Sequence, residues 1–278
     1  MENGFRPQMN VMPTRHHVVK LPHCPCPIRV ICTMHFVLIH GFCHGSWCWY
    51  KTVDLLERSG HRATAVDLAS AGTSTASADS ILTLDQYDEP LVELLESLDR
   101  TEKVILVGHS AAGCSVTHAV ELFPEKIAVA VYISAFMGYE GFQPDQIKQL
   151  LRIVGAESDK PPKEFIFSIE NARSSLYGLC PSQDIILASM LLRRGPLATV
   201  LDAKSGITAA KYKSVPRVFI KLLRDKLLPP LLQDAFINAN PPQAVFHIDT
   251  DHSPFFSAPE ELHQMLLLAA ARFTTANS

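Results

Sequence analysis

Apolar and polar positions along the chain follow two alternating rhythms. The unbroken run His35-Phe-Val-Leu-Ile39 reads as a strand covered on both faces. From Trp49 to Ser59 the apolar residues recur at helical spacing, and Gly60 stops them. Arg62 to Val66 is a short strand, and small residues from Ala69 to Ser80 form a loop. A helix is expected from about Asp85 to Leu98, then a strand ending at Gly108 and a helix directly after it. Ile127 to Ile133, residues 216–222 and residues 244–248 are further strands, and a helix from about Pro259 to Arg272 closes the chain. Strands alternating with helices imply an α/β fold: a mostly parallel sheet flanked by helices on both faces.

The rhythm breaks once. Some eighty residues separate Ala135 from the strand near Pro216, where a crossover normally needs far fewer. This stretch, about 138–214, holds helical periods near 144–154 and 182–194 and many apolar residues, among them Phe142, Phe165, Phe167, Leu176 and Met190. It is expected to be a helical lid roofing an apolar pocket at the carboxyl edge of the sheet.

Candidate chemistry begins at Val104-Ile-Leu-Val-Gly108-His109-Ser110-Ala111-Ala112-Gly113. A strand that turns sharply into a helix at a serine lifts the hydroxyl clear of the backbone, and small neighbours let strand and helix pass closely. This is the nucleophile elbow of an α/β-hydrolase, with one departure. Ala112 stands where the G-x-S-x-G pattern has glycine, and because Gly113 follows, the turn is expected to survive.

A serine hydroxyl needs a base, itself oriented by an acid, and in this fold the chain order is Ser, then Asp or Glu, then His. Of the later histidines, His118 is two turns down the elbow helix, His247 is inside a strand and His263 is on the final helix. His252 follows the last strand at the functional edge and is the candidate base. Asp225 follows the strand ending at Leu223 and is the candidate acid. Asp234 is one helix further on, and Asp249 and Asp251 read as loop and cap residues. The loop His40-Gly41-Phe42-Cys43-His44-Gly45-Ser46-Trp47 can aim the Phe42 N–H at an oxyanion, with the Ala111 N–H as second donor. Phe42 and Ala111 thereby shape the substrate site. Trp47 and Trp49 either line the acyl site or pack beneath the loop.

Composition narrows the alternatives. The chain has 278 residues, 47% of them hydrophobic, and a net charge of −3, with no basic stripe to meet nucleic acid. No apolar run is long enough to span a bilayer. Seven cysteines, several in expected strands, favour reduced thiols and a cytoplasmic setting. Residues 1–33 carry Arg6, Arg15, Lys20 and Arg29 against Glu2 alone, and are expected to be loosely ordered. They are acid-poor like a plastid transit peptide but contain no serine. The lone Cys24-Pro-Cys26 beside His23 lacks the second ligand pair of a structural zinc site, so no metal or cofactor is expected. Residues 34–278 are expected to form one hydrolase domain.

Four stretches carry a family resemblance: HFVLIHGFCHGSWCWYK, VILVGHS, LCPSQDIILASMLLR and DHSPFF. From Met34 to about Phe273 the chain resembles the plant methylesterase and hydroxynitrile lyase family of α/β-hydrolases. The resemblance implies Ser110 as nucleophile, Asp225 as acid and His252 as base, the residues that position singles out. It also implies hydrolysis of methyl esters of small plant signalling acids: indole-3-acetate, jasmonate or salicylate. Lyases of the family have Thr where Gly41 stands and Lys where Ser253 stands, and neither marker is present here. Ester hydrolysis therefore leads over cyanohydrin cleavage. A hormone receptor with little turnover is the alternative from another class. The expected partner is a small-molecule ester, and a homodimer is left open.

Overall fold

A computed structural model describes residues 33–138, 163–202 and 208–274. The strands are β1 (His35–Ile39), β2 (Arg62–Val66), β3 (Val104–His109), β4 (Ile127–Ile133), β5 (Glu164–Phe165), β6 (Gly195–Pro196), β7 (Arg217–Leu222) and β8 (Ala244–Ile248). Six of them form one parallel sheet in the order β2-β1-β3-β4-β7-β8, while β5 and β6 pair separately and antiparallel. Central β1 and β3 are buried along their whole length, which is why they read as continuous apolar runs. At the edges, β2 and β8 are only partly buried, and His247 is exposed.

Alternate residues of each strand serve opposite cores. Val37, Ile39 and Leu106 pack with Leu91 and Leu95 of α2 (Leu84–Ser97) and with Val116 of α3 (Ala112–Leu122). Phe36, Leu38, Ile105 and Val107 pack with Leu56 of α1 (Tyr50–Arg58) and Leu266 of the final helix, Pro259–Thr274. α2 starts where a capping box sets it. The Thr83 hydroxyl accepts from the Gln86 N–H, and the Gln86 side chain accepts from the Thr83 N–H. The helical period expected from Trp49 instead begins with a tight 3-10 turn over Ser46–Trp49, and α1 follows it.

The site's location follows from strand order. From β1 the chain steps outward to β2, then returns to place β3 on the other side of β1. Loops leaving β1 and β3 therefore diverge, opening a crevice at the carboxyl edge of the sheet.

Between β4 and β7 the described residues include helices Ile169–Ser175 and Ser182–Leu191. The helical period at 144–154 lies outside the described residues. The insertion is tied to the body by carboxylates. Buried Asp184 accepts from the Tyr50 hydroxyl at 2.8 Å and Lys51 Nζ at 2.6 Å, and Asp251 Oδ2 accepts from the Leu179 N–H at 2.6 Å. Phe167, Leu176 and Tyr177 are buried, whereas Met190 is 74% exposed.

At the elbow Ser110 has φ +56°, and the turn is intact with Ala112 in place. The steric constraint sits at the flanking glycines. A Cβ at Gly108 would lie 2.5 Å from Val116 Cγ2, and one at Gly113 would lie 1.9 Å from the Phe136 carbonyl oxygen. Gly113→Ala is therefore expected to cost about 1–3 kcal/mol by overpacking, read as a lowered Tm. Gly178→Ala, whose new methyl would meet nothing nearer than the Ser174 carbonyl oxygen at 3.8 Å, should leave Tm unchanged. Equal Tm values for the two variants would contradict the close passage of strand and helix.

Candidate active site

The left-handed turn at Ser110 is held from both sides. Its N–H donates to the Ile133 carbonyl, and its own carbonyl accepts from the N–H groups of Gly113 and Phe136, all at 3.1 Å. Helix α3 starts at Ala112, so the Ala111 N–H is at a helix N-terminus, where backbone donors are free for a developing negative charge.

Asp225 is buried where three segments meet. Its Oδ1 accepts from the N–H groups of Leu227 and Leu228, both at 2.8 Å. Its Oδ2 accepts from the Ser134 hydroxyl and from His252 Nδ1–H, both at 2.6 Å. With the Nδ1 proton facing the carboxylate, the neutral imidazole keeps Nε2 bare as an acceptor. Ser134 was not singled out from sequence. It follows β4 with φ +38°, an unusual conformation for a non-glycine residue.

Ser110 and His252 line one cavity of about 530 Å³, together with Gly41, Phe42 and Ala111. Apolar Phe136, Phe167, Leu176, Leu197, Leu227 and Leu228 supply most of the remaining wall. No Lys, Arg, Asp or Glu is among the described residues lining it. Among the described residues, Phe167 and Leu176 meet the cavity from the insertion's set marked by apolar pattern. Trp47, which the sequence leaves open between lining the acyl site and packing beneath the loop, is not among the described lining residues. Its indole stacks on His44 at 5.4 Å and on Phe256 at 6.2 Å, because the loop needs packing beneath it.

The passed-over candidates have other partners. His118 bridges Asp88 and Asp85, His263 meets the Ser59 hydroxyl, Asp234 pairs with Lys221 and Asp249 with Arg224. Asp251 caps its own loop through the Ser253 N–H and the Ser257 hydroxyl. Cys43, Cys48, Cys114 and Cys180 are free thiols, and burial pushes Cys43 up to about 12. His23, Cys24 and Cys26 lie outside the described residues.

Residues 36–265 match the alpha/beta hydrolase family. The chain belongs to that family. Among its relatives, methylesterase 17 of Arabidopsis thaliana is 42% identical over 253 residues, spanning 85% of this chain and 91% of that protein. A relative from the same plant named as a chloroplastic methylesterase is 40% identical over 251 residues, or 84% of this chain and 63% of its own length. The crystal structure of an Arabidopsis methylesterase superimposes with a TM-score of 0.77 at 38% identity, covering 86% of this chain and all of that one. This hydrolase is a carboxylic ester hydrolase of the methylesterase kind.

Three further imidazoles surround the hydrolase's site, and all are neutral. Burial lowers His40, lowers His44 to about 3, and lowers His109 well below its ordinary value, with the nearby His252 acting on His109 in the same direction. His109 Nε2–H donates to the His252 carbonyl at 2.7 Å. Because the unfolded chain protonates these groups near pH 6.5 and the folded one does not, unfolding takes up protons below that pH. Their contribution is fully present above about 6.5 and is lost as pH falls, by up to about 1.4 kcal/mol per pH unit for each imidazole. Tm should hold from pH 7 to about pH 6.5 and fall from there to pH 5. A flat profile would contradict neutral burial of these rings.

Proposed function

We propose that the protein hydrolyses the neutral methyl esters of small, largely apolar signalling acids such as indole-3-acetic, jasmonic and salicylic acids. Ser110 is the nucleophile in this reading, His252 the general base and Asp225 the orienting acid. The observation that carries it is the opening of Ser110 and His252 into one cavity whose described lining is largely apolar and holds no Lys, Arg, Asp or Glu, with His252 hydrogen-bonded to Asp225 behind it.

In the first step Ser110 Oγ attacks the ester carbonyl carbon while its proton passes to His252 Nε2. The resulting oxyanion is met by the Phe42 and Ala111 N–H groups. Collapse breaks the bond to the methoxy oxygen, which takes the proton from His252 and leaves as methanol. Water then gives a proton to His252 as its oxygen attacks the acyl carbon, and the acid departs as Ser110 regains its hydrogen. The described wall favours the neutral ester over the carboxylate product, because none of its residues is Lys or Arg.

Cyanohydrin cleavage is not supported. Gly41 offers no hydroxyl, and Ser253, fully buried, offers no cation for departing cyanide. For compartment we propose the cytoplasm. The plastid is the alternative, drawing on the acid-poor residues 1–33 and the chloroplastic relative. Fluorescent fusions of the full chain with and without residues 1–33 should both be cytoplasmic, and plastid signal from the full chain alone would contradict that.

The reading is tested on methyl indole-3-acetate, methyl jasmonate and methyl salicylate with purified protein. At least one ester should turn over, and Ser110→Ala should lower kcat by roughly 10⁴-fold or more. Each free acid should compete more weakly than its neutral amide. Binding of the acids with turnover of no ester would contradict the reading and place the protein among receptors.

A further inference from the structure

The loop carrying Phe42 is held by two histidines to which neither fold nor motif assigns a role. His40 Nδ1–H donates to the Gly41 carbonyl at 2.9 Å, while its Nε2 accepts from the Leu68 N–H at 3.2 Å. His44 Nδ1–H donates to the Phe42 carbonyl at 2.9 Å, and its backbone N–H donates to the Gly41 carbonyl at 3.2 Å. Both carbonyls flanking Phe42 are therefore fastened. A trans peptide is planar, with N–H opposed to C=O, so fastening the Gly41 carbonyl sets the direction of the Phe42 N–H, and fastening the Phe42 carbonyl fixes the next peptide plane, which holds Phe42 between two fixed planes.

His44 can donate to Phe42 only in the Nδ1–H tautomer, since a carbonyl has no proton to give. What selects that tautomer is Tyr177, whose hydroxyl donates to His44 Nε2 at 2.6 Å. Tyr177 comes from the insertion, in the turn after helix Ile169–Ser175, and is buried with His44. The imidazole is further clamped by the Trp47 stack and the edges of Tyr177 and Phe255. A continuous chain thus runs from the insertion to the oxyanion loop: Tyr177 O–H to His44 Nε2, then His44 Nδ1–H to the Phe42 carbonyl.

We propose that Tyr177 and His44 are positioning residues through which the insertion sets the Phe42 oxyanion donor. The proposal rests on the serine-esterase reading above. Neither side chain handles a proton in the reaction. Their effect is on the transition state, because the oxyanion exists only there, so binding of the ground-state ester is left almost untouched.

Tyr177→Phe removes one hydroxyl and keeps the ring, and His44→Asn keeps an N–H donor near Nδ1 but gives Tyr177 no acceptor. Both variants and their combination are assayed on p-nitrophenyl acetate, an activated ester that does not depend on the natural acyl group. Each is also titrated with a trifluoromethyl ketone, which forms a tetrahedral adduct on the serine, and with the methyl ketone of the same skeleton. Tyr177→Phe is expected to lower kcat roughly 10-fold, less than the roughly 100- to 1000-fold cost of deleting an oxyanion donor outright. KM and methyl-ketone binding should stay within about twofold, and trifluoromethyl-ketone affinity should fall in step with kcat. Adding Tyr177→Phe to His44→Asn should cost nothing further, because the hydroxyl acts through His44.

Unchanged kcat in Tyr177→Phe overturns the proposal. So does equal loss of affinity for both ketones, the mark of a deformed pocket, and so does full additivity of the two substitutions. No turnover by the unaltered protein overturns the serine-esterase reading and this proposal together. Normal turnover by every variant overturns the proposal alone.

Discussion

The Asp225 carboxylate is the constraint on which the site depends. A buried charge is costly unless its lone pairs are met, and here four donors meet them. Those donors come from the end of β4, the exit of β7 and the loop after β8, so one residue fixes the relation of three chain segments. Hydrogen bonds to an ionised acceptor are roughly twice as strong as neutral ones. The arrangement is therefore stable only as a whole, and loss of any donor leaves charge uncompensated in the interior.

Around that anchor, sheet topology does the rest of the positioning. Reversal of strand order at β1 brings the loop after β1 beside the elbow, where Gly41 leaves room for the His109 ring and Gly108 and Gly113 let strand and helix pass where a methyl would not fit. Two more buried carboxylates, Asp184 and Asp251, hold the insertion over the crevice. Among the described residues, none that lines the cavity beneath it is Lys, Arg, Asp or Glu, which suits a neutral ester.

Much of this was legible in the chain. Buried central strands leave unbroken apolar runs, and a strand's carboxyl end marks which loop residues reach the crevice. Ser110, Asp225 and His252 could be picked by that position alone, and the structure brings them to one place. Ser134 could not, because a serine after a strand has many ordinary explanations, and its bond to Asp225 spans 91 positions. The Tyr177–His44 contact spans 133 positions and depends on how the insertion folds back. Trp47 was ambiguous for a related reason: an aromatic beside a catalytic loop can face substrate or support the loop from behind. The two-residue strands β5 and β6 and the short helix Pro254–Ser257 are too brief to leave a periodic signal.

The most direct test of a serine nucleophile oriented through Asp225 is covalent labelling. The protein is treated with a fluorophosphonate, and the adduct is located by peptide mass spectrometry. One adduct per chain on Ser110, forming far more slowly in Asp225→Asn, is the expected result. An adduct on another residue, or labelling of Ser110 at an undiminished rate in Asp225→Asn, would contradict the central role assigned to that carboxylate.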